Sequence, residues 1–68
     1  MNKVYLVKYG TNYDATDCSL FATLEKAKEA ADSGIEFYDY CDVYEYSLIN
    51  GDYVEDDEAV YEVERYNY

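Results

Sequence analysis

The sequence predicts an α+β fold: an antiparallel sheet of about five strands with one helix packed on one face, in the order β-β-α-β-β-β. Three observations carry that expectation. Lys3 to Tyr9 alternates with the two-residue period of a strand. Leu24 to Asp32 has helical spacing behind a capping threonine. Asn50-Gly51 stands between two alternating apolar runs, the strongest short-range signal for a two-residue type I′ hairpin.

Along the chain, Val4, Leu6 and Lys8 share one face of the first strand and Tyr5, Val7 and Tyr9 the other. Both faces hold apolar side chains, which places this strand centrally. Gly10-Thr11-Asn12 breaks it, Asn12 to Asp17 reads as a polar loop, and Cys18 to Ala22 as a short antiparallel partner. Thr23 is a good N-cap, and Glu25 in the first turn suits the helix dipole. Leu20, Leu24, Ala27 and Ala31 fall at helical spacing with Ala30 beside them, and small residues let a helix approach a sheet closely. Such a helix is about 14 Å long. Ser33-Gly34 ends it, with Gly34 expected as a left-handed cap. Ile35 to Tyr40 leads into a long strand from Cys41 to Ile49. After the turn, Asp52 to about Glu55 returns beside it. Asp56-Asp57-Glu58 is too acidic for a ladder and reads as a loop; Ala59 to Tyr66 is the last strand. The expected core is the helix face with Leu6, Phe21, Ile35, Val43, Ile49, Val54 and Val63.

Sixty-eight residues make a single domain, 1–68, with little room for a second unit or a closed pocket. Dimerisation is one way for so short a chain to bury more apolar area. Abundant Tyr, Val, Leu and Ile, and the absence of Pro, argue against disorder. The opening segment has no signal-peptide character, and no apolar run nears the roughly 20 residues of a membrane span, so a cytoplasmic protein is expected. Cys18 and Cys41 are too few for a disulfide scaffold and match no zinc spacing, and the chain has no His. Without His, and with no base near Ser19, Ser33, Ser47 or either thiol, an enzyme is not expected. No cofactor is expected. Glu55-Asp56-Asp57-Glu58 offers hard oxygen ligands but no EF-hand spacing, so a solvated acidic turn is the expected role.

Charge is the most informative property. The net charge is −11, well beyond what solubility asks of a small domain. Residues 1–28 carry Lys3, Lys8, Lys26 and Lys28 against three acids, a balance of +1; residues 29–68 carry Arg65 against 13 acids, a balance of −12. Direct nucleic-acid binding is disfavoured, because phosphate contacts need Lys and Arg. A basic protein surface is the favoured partner. The four lysines read as solubilising, with pairing to the acidic half of a second copy as the alternative.

The chain has eleven tyrosines, and the six between Glu36 and Glu64 interleave with these acids. On the long strand, Asp42, Tyr44 and Tyr46 share one face, and Cys41, Val43, Ser47 and Ile49 the other. Glu62 and Glu64 share a face of the last strand. Alternate strand positions lie about 6.8 Å apart, which approaches the linear charge density of a nucleic-acid backbone. Tyrosine supplies rigid, amphipathic contact area at low entropic cost. The expected partner-binding set is Asp42, Tyr44, Tyr46, Asp52, Tyr53, Glu55, Asp56, Asp57, Glu58, Glu62 and Glu64.

Lys3-Val4-Tyr5-Leu6-Val7, Phe21-Ala22-Thr23-Leu24-Glu25-Lys26-Ala27 and the acidic, tyrosine-rich terminal strand together resemble small uncharacterised proteins of bacteriophages and mobile elements. In size, acidity and lack of catalytic residues the chain also resembles phage anti-defence proteins, including anti-CRISPR inhibitors and DNA mimics. That resemblance implies a viral inhibitor acting in the host cytoplasm on a basic, nucleic-acid-binding defence protein. The alternatives are a homodimeric structural or adaptor module, and a small-ligand sequestering protein.

Overall fold

Alternation, capping and turn chemistry act together to build the observed sheet and helix. The computed structural model describes residues 2–11 and 15–65. Its elements are β1 (Lys3–Gly10), β2 (Ala15–Phe21), α1 (Leu24–Gly34), β3 (Tyr40–Ile49), β4 (Asp52–Glu55) and β5 (Tyr61–Glu64). The fold is α+β, one helix against a five-stranded antiparallel sheet.

The strand order is β2-β1-β3, with β4 and β5 in tandem along the free side of β3. The central place expected for the first strand is observed: β1 pairs with β2 on one side and β3 on the other. Asn50 and Gly51 have φ of 52° and 86°, the two left-handed residues a type I′ turn requires. They reverse β3 into β4.

Thr23 is extended (φ −129°, ψ 152°) and its Oγ1 accepts the Lys26 amide at 3.2 Å, the expected N-cap. The far end of the helix differs from expectation. It runs through Gly34, and among the described glycines only Gly51 has positive φ. Gly34 is buried, and a Cβ there would stand 2.8 Å from the Tyr9 ring and 3.1 Å from Cys41 Sγ. Close approach to the sheet, not a left-handed cap, explains this glycine.

The core is Val7, Ala27, Ala31, Cys41 and Val43, all fully buried, ringed by Tyr5, Tyr9, Phe21, Leu24, Ile35, Tyr38, Tyr61 and Val63. Three expected core residues fall elsewhere. Leu6 alternates with buried Val7 and so lies on the uncovered face. Ile49 (51 % exposed) and Val54 (48 %) face the helix side, but the contacts of α1 are with β1, β3, β2 and β5 and not with β4. An eleven-residue helix, about 16 Å long, cannot shade a ten-residue strand of about 33 Å.

Strand boundaries shift too. β2 begins at Ala15, so residues 15–17 are strand where a loop is expected, while residues 12–14 lie outside the described residues. Leu20 belongs to β2, not to the helical stripe, and is 65 % exposed. β5 is shorter than the expected Ala59 to Tyr66; Tyr66 lies outside the described residues.

Candidate functional site

Cross-strand partners project to the same face of a sheet, so the register fixes what the helix leaves uncovered. Leu20 and Cys18 come from β2, Val4, Leu6 and Lys8 from β1, and Tyr40, Asp42, Tyr44, Tyr46 and Leu48 from β3. Tyr53 and Glu55 join from β4, and Glu62 and Glu64 from β5. The face is divided. Val4, Leu6, Leu20, Tyr46 and Tyr53 line a shallow apolar depression toward the hairpin end. Asp42, Glu62 and Glu64 gather with Asp39 and Tyr40 at the other end.

Between β4 and β5 the chain leaves the sheet. Tyr46 pairs with Glu55 and Val43 with Tyr61, so three steps along β3 are matched by six on the other side. The three extra residues make an outward bulge containing Asp56, Asp57 and Glu58, all exposed. The bulge is anchored by the Asp56 amide donating to the Glu45 carbonyl (2.9 Å) and the Val60 amide to the Val43 carbonyl (2.8 Å). Glu55, the bulge, Glu62 and Glu64 thus form an acidic border along one edge of the open face.

Of the expected partner-binding residues, Asp42, Tyr44, Tyr46, Tyr53, Glu55, Glu62 and Glu64 share the open face, and Asp56, Asp57 and Glu58 rim it. Asp52 pairs with Ile49 and so lies on the opposite side, next to the turn. The tyrosines separate by task. Tyr5, Tyr9, Tyr38 and Tyr61 pack around the core. There Tyr38 donates to Asp17 (2.6 Å) and Tyr61 to Asp32 (2.7 Å). Tyr40 covers Gly10, where a Cβ would run into its ring. Tyr44, Tyr46 and Tyr53 serve the open face.

Lys8, Val4, Leu6 and Leu20 also belong to this face and are absent from the sequence-based set. The alternation of Val4, Leu6 and Lys8 was the available signal; what it lacked was which side a lone helix would cover. Lys8 Nζ pairs with Glu55 Oε1 at 2.9 Å and lies 4.3 Å from the centroid of the Tyr44 ring. Tyr46 Oη donates to the same carboxylate. These hydrogen bonds hold the Glu55 carboxyl below its ordinary range and raise the Tyr46 phenol and the Lys8 ammonium above theirs. Asp42 moves the other way: partial burial, then the charges of Glu62 and Glu64, raise its carboxyl above the usual range.

Cys18 is exposed and Cys41 buried, both as free thiols, and burial raises the Cys41 thiol. Among the described residues no cluster of His, Cys, Asp or Glu is arranged to hold a metal ion, and no helix is long and apolar enough to cross a membrane. No protein-family model matches the chain, and neither a curated protein nor a solved structure matches it.

Proposed function

We propose that this protein is a binding inhibitor, of the phage anti-defence type, that occupies a basic, nucleic-acid-binding surface of a host protein. The observation that carries the reading is the acidic border: Glu55, the Asp56–Glu58 bulge, Glu62 and Glu64 along one edge of an uncovered sheet face, with Asp42 beside them. Asp42, Glu62 and Glu64 gather at this end, where their charges add to partial burial in raising the Asp42 carboxyl, so added positive charge is favourable there. Acids stand where phosphates would, and Tyr44, Tyr46 and Tyr53 supply flat contact area where sugars and bases would lie. The protein itself, at −11, does not bind nucleic acid.

The test is capture of partners from bacterial lysate by tagged protein, with and without nuclease, washed at low and then high salt. A nucleic-acid-binding protein that is retained after nuclease and released by salt supports the reading. Capture of such proteins only while nucleic acid is present, or recovery of the bait alone, overturns it. The second reading, a homodimeric adaptor, is favoured by one observation: β2 is an edge strand carrying the exposed Leu20 and Cys18. It predicts a salt-tolerant dimer in sedimentation and no displacement of nucleic acid.

A further inference from the structure

We propose that the apolar depression formed by Val4, Leu6, Leu20, Tyr46 and Tyr53 seats one aliphatic or aromatic side chain from a basic segment of the partner, beside cations held by the acidic border. This rests on the basic partner proposed above and adds a specificity element that charge alone lacks.

The depression has a volume of about 500 Å³, ample for one large side chain. Leu20 is 65 % exposed and Tyr53 52 %, so a good share of its lining is in water. α1 packs on the opposite face of the sheet, so none of this apolar surface contributes to the core.

Charge complementarity selects the occupant. Glu55 pairs with Tyr46 across β3 and β4, so the acidic border begins at the wall of the depression. Lys8 marks how a cation is held there, on the Tyr44 ring at 4.3 Å and against Glu55 at 2.9 Å. With Lys8 on those two partners, a lysine or arginine from outside would meet the same kind of group next to them, the carboxylates of Asp57, Glu58 and Glu62 beside Tyr44. A second copy of this chain would bring −11 against −11, and an anionic lipid surface would meet the same repulsion. A basic polypeptide segment with an apolar side chain among its cations satisfies both halves of the face.

The experiment uses two lysine-rich peptides of equal charge, one with a central leucine and one with serine in its place. Each is titrated into the ¹⁵N-labelled protein at about 0.1 M salt, where the Debye length is still ~10 Å. The leucine peptide is expected to bind on the order of tenfold more tightly, the value of one largely buried leucine, and to shift the Val4, Leu6 and Leu20 amides. Leu20→Ser should remove most of that difference while leaving affinity for the serine peptide unchanged, and Tyr53→Ser, which also removes contact area for both peptides, should narrow the gap between them; both side chains are mostly exposed, so the fold tolerates either change. Equal binding of the two peptides by the unmodified protein overturns the depression as an anchor site and leaves the acidic reading standing. No binding of either peptide overturns both.

Discussion

Deleting Asp56, Asp57 and Glu58 separates what the fold needs from what the acidic border does. The two pairings along β3 are out of phase by three residues, Glu55 opposite Tyr46 and Tyr61 opposite Val43. Removing three residues brings β4 and β5 into one continuous register. Ala59 then falls opposite Glu45 and Val60 opposite Tyr44, while Tyr61 keeps its place against Val43. The alternation survives too, because Tyr61 and Val63 still face the helix. Halving the excursion lowers the closure cost by about 0.6 kcal/mol. In a domain of this size that is a gain of about 2–5 °C in Tm. Three exposed carboxylates leave the border, each worth about 0.2–1 kcal/mol to a facing cation. Affinity for the lysine-rich serine peptide should therefore fall by about 3- to 100-fold. Thermal unfolding by circular dichroism gives the first quantity and fluorescence anisotropy the second. A variant that loses more than about 1 kcal/mol would show that the bulge holds the edge of the sheet together. One that keeps full affinity would place the interface elsewhere. Either result refutes the reasoning.

Three further perturbations test the remaining steps. Gly34→Ala adds a methyl group 2.8 Å from the Tyr9 ring on the central strand; the strain, about 1–3 kcal/mol, outweighs the ~1 kcal/mol gain in helix propensity, so Tm should drop, and a rise would show that Tyr9 yields. Asp42→Asn should stabilise the protein at neutral pH, because a carboxyl raised in the folded state disfavours folding while ionised. The advantage should shrink as pH falls through the raised native value toward the unfolded value of about 3.9, and denaturant midpoints at several pH values that show a constant gap would refute that cause. Lys8→Met keeps the hydrocarbon stem near Tyr44 but leaves Glu55 with the Tyr46 hydroxyl alone. The Glu55 carboxyl should rise part of the way to its ordinary range in an NMR titration, the Tyr46 hydrogen bond still holding it down, while the lysine-rich peptides bind more tightly, and weaker binding would mean that Lys8 does not occupy the cation position.

The fold was legible because its signals are local. Thr23 caps whatever helix follows, Asn50-Gly51 turns whatever strands flank it, and the period of Lys3 to Tyr9 needs no distant partner. The misses in the core share one cause, since each depended on where the helix sits. Leu6 and Val7 look alike in a sequence, and only the side chosen by α1 makes one core and the other surface. Gly34 carried a true structural demand, but the demand comes from Tyr9 and Cys41 across the layer interface rather than from its own backbone. The acids of the candidate site could be read as a group because alternation assigns them to faces within each strand. Their division into a border and a bulge could not, because the three-residue phase shift exists only between strands.

The energetics of the two faces point the same way. Among the described residues five side chains are fully buried, two of them alanines, and stability drawn from so small a core is correspondingly thin. Yet the chain carries −11 and concentrates acids where they repel one another, so that the charges of Glu62 and Glu64 add to partial burial in raising the carboxyl of Asp42. It also leaves Leu20 and Tyr53 in water while a core alanine occupies the helix interface. Each choice works against stability, and neither is demanded by the topology, which the β3 register would satisfy with neutral side chains on the open face. Groups that lower stability and cluster on one surface are the expected mark of a binding site, where local rules give way to a partner's chemistry. Salt separates the two effects by sign. Screening relieves the repulsion among Asp42, Glu62 and Glu64 and so favours the folded state, while it weakens attraction to a basic partner. Affinity that falls over the same salt range in which the fold gains stability is therefore the outcome the proposed basic partner predicts.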